Sequence, residues 1–185
     1  MTRAVLVNGV PASGKSTVTR QLTRGLEAQG IAAMPFCLDT VKEGLFAQIG
    51  TGDREYNRKL GRASYHAIFN LIAEMPGNFL PVIDAWHGFQ PESVLRDHLA
   101  RAGIQHLVEV WVAIPPEEAA RRYRARADSR HVGHLPASYA DELFALAGRA
   151  RPLALGTVIK VDGSIGAPDD LARRVREELQ ILEST

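Results

Sequence analysis

The sequence has little cysteine and no long hydrophobic run. Cys37 is the single cysteine among 185 residues, which excludes an internal disulfide and a zinc site built from several cysteines. No hydrophobic run is long enough to cross a bilayer, so we expect no membrane partner. The N-terminal segment also lacks the apolar stretch and the small-residue cleavage site of a signal peptide. The expected location is therefore the cytoplasm.

The chain also has almost no excess charge of either sign. Its 22 lysine and arginine residues and 21 aspartate and glutamate residues give a formal net charge of +1. This balance provides no global basic field for a nucleic acid and favours a small-molecule partner. The length and the ordinary hydrophobic content of 45% predict one domain over residues 1–185. Nothing in the sequence indicates an oligomeric state.

Short β-rich runs alternate with longer helical patterns along the chain. The predicted strands are residues 4–7, 34–38, 79–83, 107–114 and 157–161. The predicted helices start at Lys15, 41, 56, 91, 115, 136 and 168, and the last of them runs to residue 182. This alternation predicts an α/β fold, a parallel sheet with helices on both faces. Ligands of such sheets bind at the carboxyl ends of the strands.

The segment GVPASGKS at residues 9–16 carries the strongest functional signal. It matches G-x-x-x-x-G-K-[ST] at every fixed position and lies between a predicted strand and a predicted helix. Its glycines allow the backbone N–H groups to point at phosphate oxygens. We expect Lys15 to reach the β- and γ-phosphates, Ser16 to ligate Mg²⁺ and Thr17 to approach the α-phosphate. The predicted nucleotide-binding residues of this segment are Gly9, Pro11, Ala12, Ser13, Gly14, Lys15, Ser16 and Thr17.

Two acidic residues follow predicted strands at the same edge of the sheet. Asp39 comes after the second strand and could accept a proton from an attacking hydroxyl or orient that hydroxyl; a helix N-cap is the alternative role. Asp84 ends the third strand and could hold the Mg²⁺ shell. The sequence alone leaves open which of the two acids is the base. Lys42, one turn after Asp39, could bind an anionic substrate, or it could simply be solvated.

Arginines are concentrated after the fourth predicted strand. Arg122, Arg126 and Arg130 are spaced four residues apart and would form one row if the helix persisted. We expect a lid around residues 117–137, in which Arg122 and Arg130 bind the nucleotide and Arg126 stabilises the transferring phosphoryl group. An ordinary solvated helix face is the alternative.

Two further segments bear on the ligands. His131 and His134 have no third histidine or cysteine nearby, which argues against zinc. The loop at residues 162–168 is placed to wrap an adenine ring. The sequence IKVD at residues 159–162 departs from the guanine-specific pattern in its first position and therefore favours ATP over GTP.

Together these residues resemble the small P-loop kinases over nearly the whole chain. The segments 8–16 and 82–84, with Asp39, are similar to chloramphenicol phosphotransferase, and RHVGHLPAS at residues 130–138 resembles the lid turn of gluconate kinases. The chain departs from gluconate kinases after Asp39, where their His-Pro segment is absent, and from the chloramphenicol enzyme between residues 50 and 75. The resemblance implies a three-layer P-loop kinase fold with a five-stranded parallel sheet, with ATP and Mg²⁺ as cofactors. It also implies that an acid at the position of Asp39 activates the acceptor hydroxyl.

The predicted function is an ATP-dependent kinase that phosphorylates a hydroxyl group of a small polar molecule, such as an antibiotic or a sugar-like metabolite. Two alternatives remain. A polynucleotide 5′-hydroxyl kinase shares the acid and the lid arginines but needs a basic groove. A nucleotide-dependent switch or regulator shares the phosphate loop but needs no acceptor.

Overall fold

A computed structural model describes residues 2–180 and contains one sheet of five parallel strands. The strands are β1 (Thr2–Asn8), β2 (Ala33–Cys37), β3 (Leu80–Ala85), β4 (Ile104–Ala113) and β5 (Thr157–Asp162), in the spatial order β2-β3-β1-β4-β5. The predicted five-stranded parallel sheet is therefore confirmed. Because all strands run the same way, their carboxyl ends lie along one edge.

Seven α-helices connect or follow the strands. They are α1 (Lys15–Glu27), α2 (Leu38–Ile49), α3 (Arg54–Glu74), α4 (Glu92–Arg101), α5 (Pro116–Ala125), α6 (Tyr139–Arg149) and α7 (Leu171–Glu178) within residues 2–180. Short 3-10 helices lie at His87–Phe89 and Ala127–Ser129. The last helix starts three residues later than predicted, and the end predicted at residue 182 lies outside the described residues. No helix within residues 2–180 is long and apolar enough to cross a membrane.

The sheet lies between two helical layers, as a three-layer fold requires. Successive side chains of a strand point to opposite faces, so Val5 and Val7 of β1 pack with α1 and α7, and Ala4 and Leu6 pack with α3 and α4. The α1 side includes Leu22, which belongs to the apolar stripe that the sequence predicts. Both faces of the central strand are therefore closed to water.

A third apolar cluster lies beyond the carboxyl edge of the sheet. Val10 and Ala12, from the turn after β1, pack with Ala119 and Tyr123 of α5 and with Leu143 of α6. This cluster fixes α5 and α6 next to the turn, so α5, which begins the predicted lid, and α6, which follows it, are both attached to the predicted phosphate loop.

A buried histidine–tyrosine pair joins α3 to the segment after β3. The Tyr65 hydroxyl lies 2.7 Å from Nδ1 of His87, and both side chains are almost fully buried. Burial lowers the pKa of His87 to about 3 and raises the pKa of Tyr65. The imidazole is therefore neutral in the folded protein, and its Nδ1 accepts a hydrogen bond from the Tyr65 hydroxyl.

This pair predicts a pH dependence of stability. The folded pKa of His87 lies below the unfolded value, so its contribution is complete above about pH 6.5 and is lost as the pH falls towards 3. We expect the stability of the wild type relative to His87→Asn to decrease by about 2 kcal/mol between pH 6.5 and pH 5. Urea unfolding at both pH values measures the difference. Burial also lowers the pKa of His98 to about 4. His98 is present in both proteins, so its contribution to the pH dependence cancels in the comparison. An equal pH slope in the two proteins would contradict the prediction.

Candidate active site

The turn between β1 and α1 follows a path that few residues permit. A Cβ atom on Gly9 would lie 2.6 Å from the carbonyl oxygen of Val112, so no larger residue fits there. Gly14, at the start of α1, has a φ of 97°, and Ala12 has a φ of 67°, which is uncommon for alanine. The Nζ of Lys15 donates to the carbonyl oxygen of Val10 at 3.0 Å. The turn therefore closes under the lysine, as in a phosphate-binding loop.

A buried amide and a buried carboxylate hold the beginning of this loop. Oδ1 of Asn8 accepts from the N–H of Gly9 at 2.8 Å and from the N–H of His87 at 3.1 Å, while Nδ2 donates to Oε1 of Glu109 at 2.7 Å. The Glu109 carboxylate, which is fully buried, also accepts from the backbone N–H groups of residues 153 and 154. Sequence reasoning did not identify either residue, because their partners lie far away along the chain.

A cavity of about 530 Å³ opens at the carboxyl edge of the sheet. It brings together five of the predicted site residues, namely Lys15, Asp39, Asp84, Arg126 and Arg130. Five other residues of the phosphate loop and the start of α1 also line it: Pro11, Ala12, Gly14, Ser16 and Thr17. Ser13, which also belongs to the loop, is fully buried and does not line the cavity. Residues that are distant in the sequence therefore share one space large enough for a small ligand.

Asp84 occupies the floor of this cavity. Its side chain is only 3% exposed, and its Oδ2 atom has no hydrogen-bond partner within residues 2–180. Burial raises the pKa of Asp84, an effect that the charge of Lys15 and a hydrogen bond from Ser16 oppose. Burial likewise lowers the pKa of Lys15, against the charge of Asp84. Burial thus disfavours the charged form of both groups, while the charge of each favours the charged form of the other.

The oxygens near Asp84 suit a magnesium ion. Mg²⁺ prefers oxygen ligands, retains several waters and uses few carboxylates when it also binds phosphates. A buried carboxylate oxygen without a donor, next to the Ser16 hydroxyl, fits that pattern. No group of three or more His, Cys, Asp or Glu residues within residues 2–180 could hold a metal alone. The remaining ligands would have to come from phosphate and water.

Asp39 lies on the wall of the cavity in the first turn of α2. The N-cap of α2 is Cys37, so the alternative role of Asp39 as an N-cap is wrong. Its carboxylate is half-exposed and accepts from Nη2 of Arg130 at 2.8 Å. Burial alone would raise the pKa of Asp39. The nearby positive charges, among which Arg130 has the largest effect, outweigh burial and lower the pKa. The carboxylate is therefore ionised at neutral pH and is able to orient a hydroxyl.

The arginine-rich segment is arranged differently from the predicted single row. Helix α5 ends at Ala125 and a 3-10 turn follows, so Arg130 does not continue the helix face of Arg122 and Arg126. Arg122 lies outside the cavity lining, where it pairs with Glu118 at 2.6 Å and donates to the carbonyl oxygen of Gly163 at 2.9 Å. The row breaks because residues 127–129 form a 3-10 turn, which has fewer residues per turn than an α-helix and therefore changes the direction of the side chains that follow.

Arg126 remains directed at the cavity. Its Nε atom is buried and has no hydrogen-bond partner within residues 2–180, and its guanidinium lies 5.8 Å from the centre of the Tyr123 ring. Burial lowers the pKa of Arg126, and the charge of Arg130 lowers it further. The outer arginines behave as the solvated alternative predicts, since Arg121 and Arg124 pair with acids on the surface.

The turn after the arginines packs on α2. His134 lies between Nη2 of Arg130 at 2.9 Å and Oε1 of Glu43 at 2.6 Å. The His131 ring stacks on Phe46 with the ring centres 5.1 Å apart. The two histidines that sequence reasoning weighed as a metal pair therefore join the lid turn to α2, and Arg130 extends the contact to Asp39.

The segment predicted to wrap a nucleotide base lies against the phosphate loop. The N–H of Gly163 donates to the carbonyl oxygen of Ala113 at 2.7 Å, and a Cβ atom on Gly14 would lie 3.3 Å from the carbonyl oxygen of Gly163. The N–H of Ala167 donates to the side chain of Gln21 on α1. The segment is thus held beside the N-terminus of α1, while its preference for ATP over GTP stays a prediction.

Comparison with known proteins is consistent with this geometry. A family model described as the AAA domain matches residues 5–144, which is more than half of the chain. A search of the curated proteins finds no match.

Several solved structures share the fold at low sequence identity. A candidate kinase from Chloroflexus aurantiacus J-10-fl is 23% identical with a TM-score of 0.77, covering 97% of this chain and 99% of its own. A sugar kinase from Janibacter sp. HTCC2649 is 21% identical with a TM-score of 0.56, covering 99% and 97%. The APS kinase of Mycobacterium tuberculosis, in complex with AMPPNP and APS, is 23% identical with a TM-score of 0.61, covering 97% and 98%. The chain therefore belongs to the AAA domain family and has the fold of the small P-loop kinases.

Proposed function

We propose that this protein is an ATP-dependent kinase that transfers the γ-phosphoryl group to a hydroxyl of a small molecule. The observation that supports it is the common cavity of Lys15, Asp84 and Asp39 at the end of the phosphate loop. A nucleotide switch needs Lys15 and Asp84 to bind the nucleotide and the metal. It does not need the half-exposed carboxylate of Asp39 on the opposite wall of the cavity. The APS kinase and the sugar kinase have a similar fold, and the name of each states the compound that it phosphorylates.

The phosphate loop and α1 supply the nucleotide site. The N-terminus of α1 carries a partial positive charge and free N–H groups, both of which favour phosphate oxygens. Lys15, which donates to Val10 in this structure, is placed to exchange that carbonyl oxygen for β- and γ-phosphate oxygens. Ser16 and Asp84 would hold Mg²⁺, which supplies charge neutralisation for the phosphates. The segment at residues 162–168 would contact the base.

Asp39 is assigned to the acceptor side because Asp84 is buried beneath the loop. In the transfer, the acceptor oxygen bonds to the γ-phosphorus while the bond from phosphorus to the β,γ-bridging oxygen breaks. ADP leaves with the electrons of that bond, and the hydroxyl proton passes to Asp39. The lowered pKa of Asp39 suits a loose transition state, in which orienting the hydroxyl matters more than early deprotonation.

Arg126 and Arg130 complete the charge balance around the phosphoryl group. Arg126 has a buried Nε atom without a partner and therefore has donor capacity for phosphoryl oxygens. Arg130 binds Asp39 here, so an acceptor hydroxyl must share or replace this contact. The lid turn on α2 limits the access of water, which would otherwise compete as an acceptor.

The two halves of the proposal predict different mutant phenotypes. Lys15→Ala removes the contact with the phosphates, and we expect it to weaken the binding of an ATP analogue about tenfold or more. Asp39→Asn keeps the size and removes the charge of the carboxylate, and we expect turnover to fall by roughly 10²–10⁴-fold while analogue binding stays within about threefold. Calorimetry measures the binding, and coupled ADP release measures the turnover.

Asp97→Asn serves as the control for this comparison. Asp97 is exposed on α4 and does not line the cavity, so the same chemical change there should leave both quantities unaltered. Normal turnover by Asp39→Asn would show that Asp39 is neither the base nor the orienting group.

Asp84 carries the prediction for the metal. We expect Asp84→Asn to raise the Mg²⁺ concentration that half-saturates the binding of the ATP analogue by about tenfold. Titration of the analogue at several Mg²⁺ concentrations checks this without any turnover. An unchanged Mg²⁺ dependence would remove Asp84 from the metal site.

A further inference from the structure

The cavity carries more positive charge than a nucleotide needs. Seven lysine and arginine side chains and two carboxylates line it, although the whole chain is nearly neutral. ATP with Mg²⁺ has a net charge of about −2, and Glu142 pairs with Arg54 of the lining, so roughly two positive charges of the lining remain without a counter-charge. The excess is local, and it indicates that a second anion shares the cavity.

Part of the excess lies on α3, away from the phosphate loop. Arg54, Asn57, Arg58 and Gly61 recur at helical spacing and line the cavity from this helix. Arg54 is already occupied, because Glu142 binds its guanidinium through both oxygens at 2.9 and 2.6 Å. Arg58 has neither an ion pair nor a side-chain hydrogen bond within the described part of the chain, and it interacts with Glu142 and Tyr139 only through longer-range electrostatics. The available guanidinium on this wall is therefore that of Arg58.

Lys42 of α2 supplies the second available cation. Its Nζ donates to Oδ1 of Asn57 at 2.6 Å, and Nδ2 of Asn57 donates to the carbonyl oxygen of Gly133. The ammonium group is therefore held in place by Asn57 and lies 5.4 Å from the centre of the Phe46 ring, while it forms no ion pair within residues 2–180. A cation that is fixed beforehand loses less entropy when it binds an anion.

The same cavity offers an apolar surface for the rest of an acceptor. Leu38, Trp86 and Phe89 line it, and a Cβ atom on Gly61 would have Phe89 as its nearest neighbour at 3.8 Å. An added methyl group at Gly61 would reach only ordinary van der Waals contact with Phe89, so Gly61 and Phe89 form one apolar wall of the cavity. A small molecule can place its carbon skeleton there with a hydroxyl near Asp39 and a charged group near α3.

We propose that Lys42, Asn57 and Arg58 form an anion-binding subsite and that the acceptor is a small hydroxyl compound bearing a carboxylate, phosphate or sulfate group. The acceptor assignment rests on the proposed kinase function. The anion subsite itself depends only on the charges and contacts of the α2–α3 wall. Both can be tested separately.

The subsite is tested by binding to the protein loaded with AMPPNP and Mg²⁺, so that the phosphate loop is already filled. We expect inorganic sulfate to bind, and we expect Lys42→Gln and Arg58→Gln each to weaken this binding roughly fivefold or more. Lys59→Gln is the matched control, since Lys59 neighbours Arg58 on α3 but is exposed outside the cavity. Calorimetric titration measures the dissociation constants. No sulfate binding, or equal binding by all four proteins, would overturn the subsite.

The acceptor class is tested by ADP release with matched compounds. D-glucose is compared with D-gluconate and glucose 6-phosphate, and adenosine with its 5′-sulfate and 5′-phosphate. We expect kcat/KM for at least one anionic compound to be about tenfold higher than for its neutral counterpart. For that compound, Lys42→Gln should raise KM and leave kcat nearly unchanged. Preference for a neutral compound or for a 5′-hydroxyl oligonucleotide would overturn the proposal. Sulfate binding without transfer to any compound would instead overturn the kinase function and leave the anion subsite intact.

Discussion

The path of the chain from β1 into α1 is the constraint on which the site depends. The carbonyl oxygen of Val112 lies so close to Gly9 that β4 and the turn must pack without an intervening side chain. Asn8 then fixes the first N–H of the turn, and Glu109 fixes Asn8 from the neighbouring strand. Burial makes these bonds costly to break, because an unpaired carboxylate or amide would remain without water. These buried contacts therefore fix the start of the loop, which the proposed function makes the cradle for phosphate.

The cavity is assembled from charges that the fold brings to one edge of the sheet. Lys15 and Asp84 face each other at its floor, while Asp39 and Arg130 face each other at its wall. Burial shifts the pKa of Lys15 down and that of Asp84 up, whereas the arginine keeps Asp39 ionised. Two carboxylates in one cavity thus have different environments, and this difference supports the proposed division between a metal-side role for Asp84 and an acceptor-side role for Asp39.

The strands, the helices and the phosphate loop could be predicted because their signals are local. A continuous apolar run predicts β1 as a strand buried on both faces, and the loop motif lies within eight consecutive residues of the sequence. The role of Glu109 could not be predicted, since its partner Asn8 is 101 residues away. The row of arginines was mispredicted after Ala125, because helical spacing does not reveal where a helix gives way to a 3-10 turn. The role proposed for Arg58 could not be predicted either, because the sequence does not reveal that α3 lines the cavity.

The two walls of the cavity have separate supports. The cradle is anchored towards β4 through Glu109, whereas Lys42 and Asn57 are anchored to each other and to the lid turn at Gly133. Substitutions on the inner faces of α2 and α3 can therefore accumulate without disturbing the cradle, as long as Asp39 is retained. With the proposed kinase function, such a division would let related chains adopt new acceptors while their nucleotide chemistry stays constant. It also makes these two helices the natural place for a combinatorial library in the laboratory.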